Sequence, residues 1–255
     1  MNFKKIFAVL SIFALTIFNS GCGNYEGKKI RNAELRVGTS LDFTPFEFRD
    51  VNSREYQGFD MDLIRAIGRE LGRPVQIGNI SFAGLLPSLQ AGSVDVVIAA
   101  MTINDEREEL AAFSEPYYES GLTIMIREND SSIRSFDDLA GKKVGVIVSS
   151  TALDVAKTIP NVEIHEYENS PDSFPALKNL EVDALINDRP VNDYAVTKNQ
   201  VTDVKILPNA LTQENYGLAV RKDNDELLQQ INDTLQKLHD TGEYDKIYSK
   251  WFGAR

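Results

Sequence analysis

Short apolar runs alternate along the chain with longer segments in which apolar residues recur every three or four positions. Residues 35–39 form an apolar run, residues 60–71 follow with Leu63 and Ile67 on one stripe, and residues 75–77 are apolar again. A short apolar run is typical of a strand, and a period of 3.6 is typical of an amphipathic helix. The pattern therefore predicts a strand, a helix and a second strand.

The same alternation continues to the end of the chain. It predicts helices over residues 85–90, from just after residues 149–151 through Ala156, and as a pair interrupted near Thr241 over residues 225–252. It predicts strands over residues 94–100, 122–126, 143–148 and 182–186. Such alternation favours a largely parallel sheet covered by helices.

Two stretches of the chain resemble each other. Residues 81–98 and 173–186 both begin with Ser-Phe and run from a short helix through Val-Asp into an apolar strand. A repeat of this kind indicates two lobes of like construction, each ending a strand at a shared cleft. Similarity by chance between two common βα units stays open as the alternative.

The first 22 residues have the pattern of an export signal. Two lysines precede the mostly apolar residues 6–18, a run too short to span a bilayer. Cys22 is the single cysteine, which excludes an internal disulfide, and the small residues before it resemble a bacterial lipoprotein processing site. Residues 1–21 are therefore predicted to be removed and Cys22 to carry lipid. Because Asn19 stands where that site usually has leucine, an ordinary export signal stays open.

Composition sets further limits. The chain has 255 residues, 42% of them hydrophobic, which suits one large or two modest domains. A formal net charge of −11 without a basic patch excludes binding to nucleic acid. No metal-ligand pattern, phosphate loop or nucleophile elbow occurs, so neither metal nor cofactor is expected. Residues 22–33 are polar and patternless, which predicts a flexible tether.

Residues 98–107 join an apolar strand end to hydroxyl, amide, carboxylate and guanidinium groups. The planar guanidinium of Arg107 suits a carboxylate, and the Thr102 hydroxyl with nearby main-chain carbonyls can accept from an ammonium group. Together these groups suit a free amino acid. The alternative is that residues 105–108 are only the solvated start of a helix.

Polar groups also follow two strands in the second half of the chain. Ser150 and Thr151 stand where a helix begins, a position typical of helix caps and of N–H groups that bind an anion. Asp188 comes shortly after the 182–186 strand, and ligands of α/β sheets bind at the carboxyl ends of strands. Capping alone stays open as the role of the hydroxyl groups.

A series of short motifs occurs in a recognisable order. The motifs are Gly38-Thr39-Ser40 with Pro45-Phe46-Glu47-Phe48, Gly58-Phe59-Asp60-Met61-Asp62-Leu63, residues 82–89, Met101-Thr102-Ile103 with Glu106-Arg107, residues 113–118, Val182-Asp183-Ala184 with Asp188, and residues 216–220. A chain with these motifs in this order resembles the solute-binding proteins of polar amino-acid ABC importers, extracellular solute-binding family 3. The resemblance covers nearly all of residues 34–253.

The resemblance implies an α/β, periplasmic-binding-protein-like type II fold. Two α/β lobes would be joined by a two-strand hinge, with the ligand cleft between them. Lobe 1 would comprise residues 34–118 and 216–255, and lobe 2 residues 122–211. The hinge would comprise residues 119–121 and 212–215. Lobe closure over the ligand is the hinge motion typical of such binders.

The resemblance also implies roles for single residues. Arg107 would clamp the α-carboxylate of the ligand, Asp188 would take the α-ammonium group, and Phe43 and Phe82 would sandwich the side chain. Burying a zwitterion is costly unless every charged group is paired, so both lobes have to contribute. The full set of expected ligand-binding residues is Ser40, Phe43, Phe82, Ala100, Met101, Thr102, Arg107, Ser150, Thr151 and Asp188.

The nature of the ligand side chain follows from departures from the family pattern. Ser40 stands where many relatives have aspartate, which weakens the case for a cation, although Asp42 and two aromatic faces can hold one through cation–π contact. No basic residue other than Arg107 and Arg189 stands at an expected cleft position, which disfavours an acidic ligand. A neutral polar or cationic amino acid is expected.

Two other functions stay open on the same fold. Cyclohexadienyl dehydratases share it and use a cleft carboxylate as a general acid. Asp188 is the cleft acid that can be placed here, and beside an ammonium group it stays ionised, which favours binding over catalysis. The other alternative is a separate ligand-sensing receptor subunit.

The resemblance finally implies a place in the cell. The protein would be a monomer anchored by its N-terminal lipid to the outer face of the cell membrane, or periplasmic in a two-membrane cell. Its expected partners are a free L-amino acid and an ABC permease of the cytoplasmic membrane.

Overall fold

A computed structural model describes residues 34–198 and 201–253. The predicted export signal, Cys22 and the tether lie outside the described residues. The strands, in chain order, are β1 Leu35–Thr39, β2 Asp42–Phe43, β3 Glu47–Arg49, β4 Tyr56–Gln57, β5 Val75–Asn79, β6 Val96–Val97, β7 Ala112–Phe113, β8 Tyr118–Ser120, β9 Leu122–Arg127, β10 Lys143–Ile147, β11 Glu163–Tyr167, β12 Ala184–Asp188, β13 Val204–Ile206, β14 Glu214–Tyr216 and β15 Ala219–Val220.

Helices cover much of the remaining chain. The α-helices are α1 Phe59–Leu71, α2 Leu85–Gln90, α3 Asp105–Leu110, α4 Thr151–Lys157, α5 Ser170–Lys178, α6 Arg189–Thr197, α7 Asp225–Asp240 and α8 Glu243–Phe252, with short 3-10 helices at Phe82–Gly84 and Phe136–Leu139.

Two five-stranded sheets form the two halves of the fold. The first sheet has the order β5-β1-β6-β15-β7, and the second has the order β11-β10-β12-β9-β13. In each sheet three adjacent strands are parallel, as the alternation of strands and helices predicts. β15 and β9 run antiparallel to both of their neighbours, contrary to that prediction. Both follow a preceding strand without an intervening helix, so they are not part of a βαβ unit.

The chain passes between the sheets along β8 and returns along β14. These two crossing strands pair antiparallel, with Ser120 opposite Glu214 and Tyr118 opposite Tyr216. The second sheet therefore consists of residues that lie between the two crossings, whereas the first sheet takes strands from both sides of them. This is the α/β, two-lobed type II architecture expected from the sequence.

An aromatic cluster packs against the crossing strands. The ring of Phe46 lies edge-on to Tyr118 at a centroid distance of 4.9 Å and to Tyr216 at 5.3 Å. Phe252 of α8 lies 5.0 Å from Tyr118, and Phe59 at the start of α1 lies 5.4 Å from Phe252. Buried aromatic pairs of this kind stabilise beyond their buried area. The C-terminal helix is thereby fixed to the crossing strands.

Local sequence explains where several elements end. Helix α1 stops at Gly72, whose φ of 64° places it in the left-handed region that glycine adopts without strain. Strand β6 is shorter than the predicted 94–100 strand. Ala100 has a φ of 44°, so the extended chain ends before it.

Candidate functional site

A cavity between the two sheets collects nearly all of the predicted ligand-binding residues. The space between its lining residues that protein atoms do not fill is about 500 Å³, a figure that includes space open to solvent. Its lining includes Ser40, Phe43, Phe82, Ala100, Thr102, Arg107, Ser150, Thr151 and Asp188. Asp42, expected to help hold a cationic side chain, also lines the cavity. The lining residues that were not predicted as contacts are Glu47, Ala99, Ile147, Glu168, Asn169, Ser170 and Asn187.

Met101 is the predicted residue that the structure places elsewhere. Its side chain is buried in a hydrophobic cluster with Leu85 and Leu89, and it does not line the cavity. The left-handed φ of Ala100 interrupts the extended chain at this point, and the lining includes Ala99, Ala100 and Thr102 but not Met101. The prediction of Met101 as a ligand contact is therefore wrong.

Arg107 is held by the start of α3 and by both halves of the fold. Asn104 caps the helix by accepting a hydrogen bond of 2.9 Å from the Arg107 main-chain N–H. The guanidinium donates to the carbonyls of Thr102 (2.9 Å) and Ser149 (3.1 Å) and lies 5.3 Å from the ring centroid of Phe82. Both hydrogen-bond partners are neutral carbonyls, so a ligand carboxylate would be its natural counter-ion.

Burial makes that cation costly in the absence of a ligand. The side chain of Arg107 is 9% exposed, and burial lowers the pKa of its guanidinium while the nearby charges of Glu214 and Asp188 raise it. An arginine remains charged under these conditions. The site therefore holds a desolvated positive charge whose accessible face is toward the cavity.

Asp188 supplies the opposite charge at the carboxyl end of β12. Its carboxylate accepts a hydrogen bond from the Tyr216 hydroxyl, and the residue is 8% exposed. Burial raises the pKa of Asp188 to about 7, and the charge of Glu214 adds to this effect, whereas Tyr216 and Arg107 oppose it. An ammonium group bound beside Asp188 would favour its ionised form.

Asp60 fixes the backbone at the neighbouring strand end. Its Oδ2 accepts from the main-chain N–H of Ala100 (2.8 Å) and from the Tyr117 hydroxyl (2.9 Å). Burial raises the pKa of Asp60 to about 6. These contacts hold Ala100 in its left-handed conformation at the wall of the cavity.

Glu214 binds the two threonines that line the cavity. Its Oε2 accepts from the hydroxyls of Thr102 (2.6 Å) and Thr151 (3.0 Å), and its Oε1 accepts from Thr212 (2.9 Å). Glu214 falls within the predicted hinge, and no role at the site was expected for it. A glutamate in a short polar strand is typical of the surface, so the local pattern carried no signal of this network.

Acidic side chains line the part of the cavity formed with the short β2-β3-β4 sheet. Glu47 is 1% exposed, neither carboxyl oxygen receives a hydrogen bond from a donor among the described residues, and in its protonated form the group can donate to Asp60. Burial raises the pKa of Glu47 well above its usual range, and the nearby Asp60 adds to it. Burial also raises the pKa of Asp42, which accepts from the Ser40 hydroxyl at 3.1 Å. Glu168 lies on the opposite half of the fold.

Sequence comparison agrees with this geometry. The chain matches the family model described as bacterial extracellular solute-binding proteins, family 3, over residues 35–254. The chain belongs to this family. A probable histidine-binding protein from Neisseria gonorrhoeae is 34% identical to this solute-binding protein over 265 residues, covering 99% of this chain and 97% of that relative.

Solved structures of the same architecture are also similar. An ancestral arginine-binding protein bound to arginine is 44% identical, with a TM-score of 0.82, covering 87% of this chain and 99% of that one. An ancestral amino acid-binding protein described as a precursor of cyclohexadienyl dehydratase is 37% identical, with a TM-score of 0.80, covering 86% of this chain and 96% of that one.

These similarities establish the general function. Further relatives are named as binding proteins for glutamine, cystine and arginine. The solute-binding protein is the substrate-binding component of an amino-acid ABC transporter, which confirms the function expected from the sequence. Membership of an extracellular family makes it an exported protein. No helix in the described part of the chain has the length and apolar character that a membrane crossing requires.

Proposed function

We propose that this solute-binding protein captures a cationic amino acid, with L-arginine as the model ligand, and delivers it to an ABC permease. The ligand binds with its α-carboxylate at Arg107 and its α-ammonium group at Asp188. Its side chain extends toward Glu47 and Asp42. The protein acts as a binding protein and not as an enzyme.

The α-amino-acid end follows from the arrangement of opposite charges. The guanidinium of Arg107 is buried and bonded to neutral carbonyls, and the carboxylate of Asp188 is buried on the other half of the fold. A zwitterionic ligand pairs both charges at once, which offsets the cost of their burial. The main-chain N–H groups where α4 begins, at Thr151, add donors for the α-carboxylate.

The proposal that the ligand has a cationic side chain rests on the environment of Glu47. Its carboxyl group lines the cavity, is almost completely buried and has no hydrogen-bond donor to either oxygen among the described residues. A buried polar group of this kind is costly unless a ligand satisfies it. A guanidinium or ammonium group from the ligand supplies the hydrogen bonds, and its positive charge favours the ionised form of Glu47. Phe43 and Phe82 offer apolar faces for the methylene chain between the two ends.

The delivery step rests on the crossing strands. We place lobe 1 at residues 34–118 and 216–255, lobe 2 at 122–211 and the hinge at 119–121 and 212–215. The first and second sheets fall on either side of those boundaries, and β8 and β14 connect them. Closure about this connection presents one continuous surface of both lobes to the permease. We further propose lipidation at Cys22, which would hold the monomeric protein at the membrane.

A thermal-shift panel tests the proposed ligand. The mature chain, residues 23–255, is unfolded and refolded to remove carried-over ligand, then heated with L-arginine, L-lysine, L-histidine, L-glutamine, L-cystine and L-glutamate. A ligand at about 100 times its dissociation constant should stabilise the folded state by about 2.7 kcal/mol. L-Arginine should raise the melting temperature and L-glutamate should not.

Variants separate the two ends of the site. Arg107→Ala and Asp188→Ala should abolish the response to every amino acid. Glu47→Gln should reduce the response to L-arginine, and Glu55→Gln, at an exposed position, should not. A response restricted to neutral amino acids would overturn the cationic proposal. If no amino acid shifted the wild-type protein, turnover of prephenate would be measured next, as the test of a dehydratase.

A further inference from the structure

We propose that Glu214 is a positioning residue that directs the hydroxyl protons of Thr102 and Thr151 away from the ligand. The Thr102 oxygen is thereby left as an acceptor for the ligand ammonium group. The inference rests on the proposed function only in requiring an α-amino acid as ligand, whatever its side chain. Glu214 itself does not line the cavity.

The position of Glu214 makes this role specific. The residue lies on the crossing strand β14 and is 8% exposed. Its Oε2 receives the hydroxyls of Thr102 and Thr151, which approach from opposite halves of the fold. Its Oε1 receives the hydroxyl of Thr212 in the adjoining segment. Both oxygens therefore act as acceptors, and each bonded threonine has to donate.

The single proton of a hydroxyl group decides what it can offer a ligand. A threonine hydroxyl donates once and accepts through its lone pairs. Because the protons of Thr102 and Thr151 point to Glu214, neither hydroxyl has a proton left for the cavity. Thr102 can then accept from an ammonium group, and it cannot donate to a carbonyl or hydroxyl at the same place. Thr151 can serve an α-carboxylate only through its main-chain N–H.

The same carboxylate links the two halves of the site. Arg107 bonds to the Thr102 carbonyl on one side and to the Ser149 carbonyl on the other. Glu214 repeats that connection through the side chains of Thr102 and Thr151. The lobes are thus tied at two neighbouring points, one through a cation and one through an anion.

A comparison of ligands distinguishes this role from a general contribution to folding. Dissociation constants are measured by titration calorimetry for L-arginine and its des-amino analogue 5-guanidinopentanoate, and for L-glutamine and its des-amino analogue 4-carbamoylbutanoate. The quantity compared is the preference of each protein for the amino acid over the matching analogue. The analogue keeps the carboxylate and the side chain, so only recognition of the ammonium group differs.

Glu214→Ala should weaken binding of the amino acid about tenfold to a hundredfold, since hydrogen bonds to charged groups have effects of this size. Binding of the analogue should change by no more than about threefold, because the bonds it makes do not depend on Thr102. Glu214→Gln should retain the wild-type preference, because its amide oxygen can accept from Thr102 and Thr151 while its NH2 group donates to Thr212. Glu119→Ala, exposed on the other crossing strand, is the matched control and should change nothing.

Thr151→Val tests the same idea without altering Glu214. If the hydroxyl proton is committed to Glu214, loss of that hydroxyl should change neither dissociation constant, for amino acid or for analogue, by more than about threefold. Equal weakening of both ligands by about tenfold would show that the hydroxyl donates to the ligand carboxylate, which overturns the proposal.

Equal weakening of amino acid and analogue in Glu214→Ala, with a lower melting temperature, would also overturn it in favour of a purely structural role. If wild-type protein bound none of these four ligands, the proposed function would fail first and this inference with it. Binding by the wild type with an unchanged preference in folded Glu214→Ala would overturn the inference alone.

Discussion

The hydroxyl of Tyr216, on crossing strand β14, donates a hydrogen bond to the carboxylate of Asp188, at the end of β12 in the second sheet. The Ser120 hydroxyl on the other crossing strand lies 2.8 Å from the same tyrosine oxygen. The acid proposed to receive the ligand ammonium group is therefore held by the connection between the lobes. A change in that connection alters the site directly.

The stability of the ligand-free protein should fall as pH rises, in part through Asp188. Its pKa is about 7 in the folded protein and near 3.8 without burial. Between these values the unfolded chain has lost the proton that the folded protein retains, so the free energy of unfolding decreases with pH. Asp188→Asn removes this contribution. The free energy of unfolding of the variant should therefore rise relative to that of the wild type by about 1.4 kcal/mol for each pH unit in that range.

Urea denaturation at pH 5 and pH 7 measures the difference between variant and wild type. Asp60, whose pKa is also raised, contributes with the same sign in both proteins, so the difference isolates Asp188. A difference that stayed constant over this range would contradict the predicted titration.

Arg107→Lys should weaken amino-acid binding about tenfold to a hundredfold. Lysine cannot maintain the forked contact to Thr102 and Ser149 and also present two parallel donors to a carboxylate. Arg65→Lys is the matched control, because Arg65 donates to the Tyr56 carbonyl at 2.7 Å outside the cavity. Calorimetric titration with L-arginine should give the wild-type dissociation constant for the control. Equal affinities for both variants would argue against a bidentate clamp.

Ala100→Gly should leave stability unchanged or raise it by up to about 1.5 kcal/mol. A left-handed conformation costs an L-residue about 1–2 kcal/mol, and glycine avoids this cost while losing about 0.5–1 kcal/mol through backbone entropy. Ala99→Gly, the adjacent buried position without a positive φ, should lose about 1–2 kcal/mol. Chemical denaturation of both variants provides the test, and similar losses would show that Ala100 is not strained.

Gly121→Ala should destabilise the connection between the lobes by about 1–3 kcal/mol, as expected for overpacking. A Cβ at this position would meet the Thr212 carbonyl oxygen at 2.3 Å, so the segments before and after the second sheet would have to separate. Gly78→Ala is the control, because its nearest contact would be an ordinary 3.7 Å. Thermal unfolding should separate the two variants. An unchanged melting temperature for Gly121→Ala would show that the crossing adjusts freely.

Periodicity was sufficient for the elements that are long and amphipathic. Helix α1 and the pair α7 and α8 lie where the apolar stripe predicts them, and the α7–α8 break falls at Thr241–Gly242 as expected. The short strands β2–β4 were not predicted, because two or three residues are too few to show a period. The antiparallel direction of β9 and β15 was not predicted, because strand direction depends on the connections between strands and not on composition.

Some residues of the candidate site could also be predicted from the local sequence, and others could not. Arg107 and Asp188 could be predicted because they follow strands whose carboxyl ends meet at one cleft. Met101 was misplaced because residue spacing alone did not assign its face. Glu47 and Glu214 belong to the site through long-range packing, which brings carboxylates beside groups over 50 residues away in the chain. A pattern read over a local window contains no information on such contacts.

The place of β15 in the first sheet has a consequence for the order in which the protein folds. Ala219–Val220 lie between β6 and β7, so the first sheet has a gap until residue 220 has been synthesised. The second sheet has its last strand by residue 206. As the chain is synthesised from its N-terminus, all strands of the second sheet are therefore available before the first sheet is complete, although the chain begins with strands of the first sheet. Because β6 and β7 both pair with β15 near the C-terminus, the first sheet of this exported protein remains incomplete until most of the chain has been synthesised.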